Sequence, residues 1–474
     1  MKDSTGDGNQ GYDLAVIGAG SAGFSASITA ADAGKRVALV GHGTIGGTCV
    51  NVGCVPSKAM IRAAEAVQGG KSAARFVGIA PCNHTVDWAA LTAAKDDLVN
   101  TLRQKKYADL LPEYEGVDYI EQGAAHLVDG GVLVGERMIK ADKVIVATGS
   151  HSILPPIDGI DTVPVIDSSA LLELEELPTS LIFIGGGYVG AELAQMMARF
   201  GVDVTLVTRS RLISSAEPEV SEVLTRTFRE EGITIYDGLS YKSVSGAKNG
   251  VTLTIIKDAK EIDLSAAILV STAGRRANTD GMGLEEAGVK LDKRGSIIVG
   301  EDMQTSKSGI YAAGDVTNRD QFVYMAAYGA KVASKNAMLG EGLTYDNSAM
   351  PWVVFTDPQV AGVGLGEADA KAAGFDVKTS VVELDQVPRA LAARDTRGLI
   401  KLIGDKKTDR LLGGTIIAPE GSDSIQTLAM ALKFGMTTKA LGATIFPYLT
   451  TVEGLKLAAQ TFDMDVAKLS CCAG

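Results

Sequence analysis

YDLAVIGAGSAG, residues 12–23, decides how this chain folds. Residues 12–17 form a short, mostly apolar run, and Gly18, Gly20 and Gly23 follow in the spacing GxGxxG. An alanine- and serine-rich helical segment comes next, then a second strand at residues 36–40. A glycine turn between strand and helix is the arrangement that receives a dinucleotide. Gly18 permits the tight turn, Gly20 lets a diphosphate approach the backbone, and Gly23 lets helix and strand pack closely. The helix start offers unsatisfied N–H groups and roughly half a positive charge to the diphosphate. One such turn is a weak signal, but this one recurs. Residues 180–184 are apolar, Gly185, Gly187 and Gly190 repeat the spacing, residues 191–200 read as helix, and residues 202–207 read as the next strand. Two copies in the same context imply two dinucleotides.

Outward from these turns, 474 residues are too many for one core and predict two to four domains. The formal net charge of −12 argues against a nucleic-acid partner, which calls for a basic face. No apolar run approaches the roughly 18 residues of a membrane span. Residues 1–11 are polar and lack the layout of a secretion signal, so they read as a flexible leader, and a cytoplasmic location is expected. KVIVATGS (143–150) and SGIYAAGD (308–315) read as strands running into small-residue turns, the second ending in an acid placed for a polyol hydroxyl. From about residue 346 the pattern changes to alternating apolar segments, including 352–355 and 399–403, followed by helical stretches. The fold class expected is α/β, with two Rossmann-like dinucleotide-binding domains and a C-terminal α+β domain. Residues 12–150 with 280–345 form the first, 151–279 the second, and 346–474 the third.

The chemistry concentrates in GGTCVNVGCVPSK, residues 46–58. Cys49 and Cys54 directly follow the first dinucleotide unit. In a locally distorted helix they come within bridging reach. A helix N-terminus and a nearby cation, for which Lys58 is the candidate, lower a thiol pKa from about 8.5 towards roughly 3.5–7.5. C-x4-C alone serves equally as a structural disulfide or as two buried thiols. A nucleotide fold on either side turns the reading to redox chemistry. Five cysteines in a chain this long do not make a disulfide scaffold, and Cys82 has no partner by spacing.

Together, GGTCVNVGCVPSK, the paired glycine turns, VIVATGS and IYAAGD resemble the FAD-dependent pyridine nucleotide–disulfide oxidoreductases, from about residue 12 to the end. The resemblance implies that Cys49 exchanges with the substrate and Cys54 lies against the flavin. Lys58 would sit near the flavin, paired with Glu192, and Tyr188 would gate the nicotinamide pocket. Asp315 would bind the ribityl chain, while Gly43, Thr48, Ala124 and Val323 fall where the family contacts FAD. One departure stands out: Gly41 and His42 follow the strand VALV, where the family usually has a glutamate for the adenosine ribose. In the second unit, Arg209 and Arg211 take the corresponding place, which suits the 2′-phosphate of NADPH over NADH.

Two features bear on the substrate. Disulfide-reducing members of the family carry a histidine near the C-terminus that shuttles protons to the leaving thiol. Here all four histidines (His42, His84, His126 and His151) lie in the first third of the chain. In FPYLTTVE, residues 446–453, Tyr448 takes the histidine's place, and a phenol with pKa near 10 is a poor shuttle at neutral pH. The second feature is the tail LSCCAG, residues 469–474. Adjacent Cα atoms are about 3.8 Å apart, short of the usual disulfide span of about 4.4–6.8 Å, so Cys471 and Cys472 read as a mobile dithiol. Thiolates choose soft metals. The combination resembles the Hg(II)-reducing branch of the family. It implies a homodimer with shared active sites, in which the partner's tail cysteines take Hg(II) from small thiols and pass it to Cys49 and Cys54. Electrons would run from NADPH through FAD to that pair. Many relatives add an N-terminal metal-binding domain with a GMTCxxC-type motif, which this chain lacks, and residues 1–11 read as a linker remnant. The competing readings are a thioredoxin-type disulfide reductase, whose large form also has C-terminal redox cysteines, and a non-catalytic thiol buffer for metals.

Overall fold

Strands buried on both faces read as unbroken apolar runs and pair in parallel. The last four residues of Tyr12–Ile17 and all of Val37–Val40 are buried in the computed structural model, which describes residues 11–465 except 122 and 249. They lie side by side in a seven-stranded sheet, with Val117–Ile120 outside Val37–Val40 and Arg137–Val146 on the other side of Tyr12–Ile17. Those pairings are parallel. The antiparallel strands Gly131–Val134 and Ala125–Val128 extend the sheet, and Ile310–Ala312 returns from far along the chain to pair with Arg137–Val146. Ser21–Asp32 is the helix after the first glycine turn. Val323–Leu339 docks on it through the Ser25 hydroxyl, which donates to the Ala327 carbonyl, and the Ser334 hydroxyl, which donates to that of Ala26.

The second dinucleotide fold has five parallel strands in the order Thr234–Tyr236, Asp203–Val207, Ser180–Ile184, Ile268–Ser271, Val165–Asp167. A three-stranded antiparallel sheet, Ser240–Ala247 to Lys260–Ala266, follows the first of these in the chain. The C-terminal α+β part is a five-stranded antiparallel sheet in the order Pro351–Val354, Gln359–Gly364, Leu411–Ala418, Leu399–Asp405, Val377–Glu383. The helices Gly421–Lys433 and Glu453–Gln460 pack their apolar faces into the same core.

The chain divides into two compact units. One holds the residues through Ser57 with Thr92–Ile153 and Gly274–Asp346; the other holds Lys58–Leu91, Leu154–Ala273 and the chain from Asn347 onward. Residues 58–91 therefore go with the second unit, whereas the sequence reading kept them with the first. The physical reason is apolar: Met60, Ile61, Ala64 and Val67 belong to the same buried cluster as Leu171, Phe183 and Met197. Among the described residues, no helix is long and apolar enough to cross a membrane.

Candidate active site

The two glycine turns repeat one geometry. Gly18 and Gly185 have φ of 117° and 113°, a region open to glycine and strained for other residues. A Cβ on Gly23 would overlap the Gly18 carbonyl oxygen, and one on Gly190 would overlap that of Gly185. Helix and turn are thus in backbone contact in both folds. Gly20 and Gly187 cap the helices Ser21–Asp32 and Tyr188–Arg199 with no side-chain hydrogen bond and no acid in the first turn, so the N–H groups and the positive helix end remain for an anion. The second helix starts at Tyr188, three residues before the sequence-based boundary, because it begins directly on Gly187. A side chain on Gly47 would overlap the Gly20 Cα, so the start of the cysteine segment approaches the first turn backbone to backbone. These open, side-chain-free cradles fit two dinucleotides.

Cys49 lies in the short helix Gly47–Asn51 and Cys54 opens the long helix Cys54–Ser72. The chain breaks between them: Val52 leaves helical geometry at φ −139°, and a Cβ on Gly53 would press on the Thr48 carbonyl oxygen. The distortion expected between the cysteines is a full interruption of the helix. Cys49 is half-buried and Cys54 exposed. Asn51 locks the first helix by donating to the Ile45 and Gly47 carbonyls and accepting from Arg103.

Lys58 lies four residues along the same helix as Cys54. Its ammonium is 2.6 Å from Glu192 Oε2 and 4.9 Å from the Phe355 ring centroid. The other Glu192 oxygen accepts the Phe355 backbone N–H at 2.8 Å. One turn on, the Gln195 amide donates to the Asp357 carbonyl and accepts the Asp357 N–H. The helix after the second glycine turn thus clamps residues 355–357 and holds the lysine. Tyr188 begins that helix. Its ring stacks on Trp352, with centroids 5.6 Å apart and planes at 21°, and its hydroxyl lies 3.2 Å from the Ser215 hydroxyl. Burial lifts the Tyr188 phenol above its ordinary pKa. Trp352 lies flat because it crosses Gly362, where any side chain would overlap the indole.

The predicted phosphate arginines part company. Arg211 turns inward: its guanidinium donates to the carbonyls of Ser214 and Ala216 and to the Ser221 hydroxyl. Arg209 is exposed, near enough to Tyr241 to act on it electrostatically. Asp315 follows Gly314, itself at φ 77°, and its Oδ2 accepts the Ser150 hydroxyl at 2.7 Å. Arg275 braces the pair by donating to the Ser150 hydroxyl and carbonyl. Gly43 is left-handed at φ 81°, Thr48 sits one residue before Cys49, Ala124 precedes the strand Ala125–Val128, and Val323 opens its helix.

Tyr448 is exposed, in the turn before Glu453–Gln460. Buried Glu453 accepts the Leu449 backbone N–H. The Leu449 backbone is left-handed at φ 60°. Cys471 and Cys472 lie outside the described residues.

Family models match along the chain: pyridine nucleotide–disulphide oxidoreductase over residues 12–332, and the dimerisation domain of the same family over residues 350–459. The chain belongs to this family. Within these oxidoreductases it is 45% identical to a mercuric reductase of Streptomyces lividans over 470 residues, covering 98% of this chain and 99% of that one. It is 43% identical to a mercuric reductase of Staphylococcus aureus, covering 98% and 84%. Among solved structures, the HOCl-induced flavoprotein disulfide reductase RclA from Escherichia coli, as a Cu(II) complex, matches with TM-score 0.84 at 30% identity over 95% of this chain and 99% of that one.

Membership also explains which residues sequence reasoning passed over. Phe355, Trp352, Gln195, Ser150 and Arg275 hold the oxidoreductase's polar and aromatic groups in place, but each belongs to a segment read only as strand, helix or turn. The polar residues Thr356 and Asp357 after the apolar segment 352–355 were the one available signal, since a polar turn there must find partners for its backbone.

Proposed function

We propose that the chain is an NADPH-dependent reductase of Hg(II), acting in mercury detoxification in the cytoplasm as a homodimer with shared active sites. The observation that carries this reading is at the far end of the chain: Tyr448 stands where a proton-shuttling histidine would be needed, and Glu453 is committed to a backbone N–H. An acceptor that needs no proton fits such a site. Reduction of Hg(II) by two electrons needs none, whereas a disulfide must release two thiols. The full-length likeness to mercuric reductases supports the same acceptor.

Bound in the first fold, FAD supplies the two-electron relay between nicotinamide and the cysteine pair. The chain's own residues do the rest. Gly20 and Gly187 leave helix N-termini open to the two diphosphates. Arg209 reads the 2′-phosphate of NADPH. Glu192 fixes the ammonium of Lys58, the residue that the family resemblance assigns to the flavin. Cys471 and Cys472 of one subunit collect Hg(II) from small thiols and pass it by ligand exchange to Cys49 and Cys54, so the soft cation is never released bare. The overall balance is Hg(II) plus NADPH giving Hg(0), NADP+ and a proton, and Hg(0), a poor thiolate partner, leaves.

The test compares acceptors. Purified enzyme should oxidise NADPH on addition of Hg(II) in excess thiol and turn over oxidised thioredoxin at least 100-fold more slowly. Changing Cys471 and Cys472 both to Ala should cut Hg(II) turnover most at high thiol concentration. Comparable rates with thioredoxin would favour the disulfide-reductase reading, and unaltered Hg(II) turnover in the double variant would remove the tail from the mechanism. Purified protein without yellow flavin would revive the metal-buffer reading.

A further inference from the structure

Rossmann-type folds end their second strand with an acid that holds the adenosine ribose hydroxyls. Here that strand, Val37–Val40, ends at Gly41, which has no side chain. Its place is filled from the neighbouring strand. Tyr119, on Val117–Ile120, pairs with Leu39 and reaches forward along the sheet, and Gly41 N–H is tied to the Ile120 carbonyl at 3.0 Å. A Cβ on Gly41 would fall on the end of the Tyr119 ring, overlapping the hydroxyl oxygen and the ring carbon that bears it. The phenol thus takes the space that any side chain at residue 41 would need. That hydroxyl is buried and has no hydrogen-bond partner among the described residues. Sealed hydroxyls nearly always have partners. This one sits at the carboxyl end of the parallel strands, the edge where such sheets bind ligands.

We propose that Tyr119 is the ribose-recognising residue of the first dinucleotide fold, its hydroxyl replacing the absent acid at position 41. The inference rests on the reading of that fold as the FAD site. A phenol both donates and accepts, so it pairs with a ribose hydroxyl without bringing a negative charge near the diphosphate. The substitution is also reciprocal: the phenol fits only because residue 41 is glycine.

The test measures flavin binding to full-length protein stripped of its flavin, by quenching of flavin fluorescence. Tyr119→Phe should weaken FAD about 3- to 10-fold, the worth of one neutral hydrogen bond, and leave FMN, which lacks the adenosine, unaffected. Wild type should bind the 2′-deoxyadenosine analogue of FAD more weakly than FAD by a similar factor, and Tyr119→Phe should lose that discrimination. Equal binding of FAD and the deoxy analogue by wild type overturns the proposal without any variant. FAD affinity and discrimination unchanged in Tyr119→Phe overturn it as well. If wild type holds neither FAD nor FMN, the flavin reading of the fold fails, and this inference with it.

Discussion

Glu192 joins Lys58 to Phe355: one carboxylate oxygen accepts the lysine ammonium at 2.6 Å, the other the phenylalanine backbone N–H at 2.8 Å. The carboxylate is 6% exposed and the lysine 33%. Lys58→Met therefore leaves a buried charge with half its partners, and should destabilise the protein by about 1–3 kcal/mol, read as a lower urea midpoint. Glu192→Gln keeps an acceptor for Phe355 but turns an amide on the ammonium, and should lower Hg(II) turnover about tenfold, or ~1.4 kcal/mol of barrier. Wild-type turnover in both variants would reduce the pair to packing.

A buried cation elsewhere in the fold makes acid sensitivity specific. Lys401, 2% exposed, meets Glu217, Glu219 and Glu367 at 2.7, 3.0 and 2.8 Å. Burial alone would lower the lysine, but the hydrogen bonds it donates to the three carboxylates reverse this and hold Lys401 well above its ordinary value. Lys371 and Lys401 draw Glu367 from 4.5 down to about 2. A depressed carboxylate stabilises the fold above its unfolded pKa, and that stability is lost as pH falls from about 4.5 towards 2. Lys401→Met should cost roughly 3–5 kcal/mol at neutral pH, with the gap to wild type narrowing as Glu367 protonates. A gap independent of pH would exclude this account.

The two arginines after the second fold's Asp203–Val207 strand should separate by function. Arg209→Ala is expected to raise the KM for NADPH about 10- to 100-fold, in line with a lost charge-assisted bond, and to leave NADH unchanged. Arg211→Ala, which orphans the Ser214 and Ala216 carbonyls, should instead lower thermal stability. The reverse pattern would mean the inward-turned arginine is the phosphate reader.

Trp88 and Trp352 are the chain's two tryptophans. In Trp88→Phe, emission comes from Trp352 alone, under the Tyr188 ring. If Tyr188 swings aside to admit nicotinamide, adding NADP+ should change that emission, and Tyr188→Ala should abolish the change. An emission blind to NADP+ would mean that Tyr188 stays where it is.

Much of this was legible in the sequence, for reasons that differ by residue. Gly18 and Gly185 announce themselves because only glycine tolerates their φ, and the Lys58–Glu192 pair was implied by the family resemblance. What stayed hidden depends on contacts far apart in the chain. Nothing near Tyr119 signals that it fills the space beside Gly41, and nothing near Arg211 signals that its guanidinium would be spent on Ser214 and Ala216. The helix break at Val52 was underestimated as a distortion, because spacing cannot show that Gly53 packs on the Thr48 carbonyl. Residues 58–91 look contiguous with the first fold, yet the apolar face of Met60, Ile61 and Ala64 belongs to the second unit's core.

The central claim is that electrons from NADPH reach Hg(II) through the sulfurs of Cys49 and Cys54. Mercury vapour released per NADPH oxidised, measured for wild type and for Cys49→Ser and Cys54→Ser under excess thiol, tests it most directly. One Hg(0) per NADPH in wild type, with vapour release down at least 100-fold in either serine variant and the flavin still bound, is the result expected. Undiminished vapour release from the serine variants, or NADPH consumed by wild type with no Hg(0) formed, would contradict it.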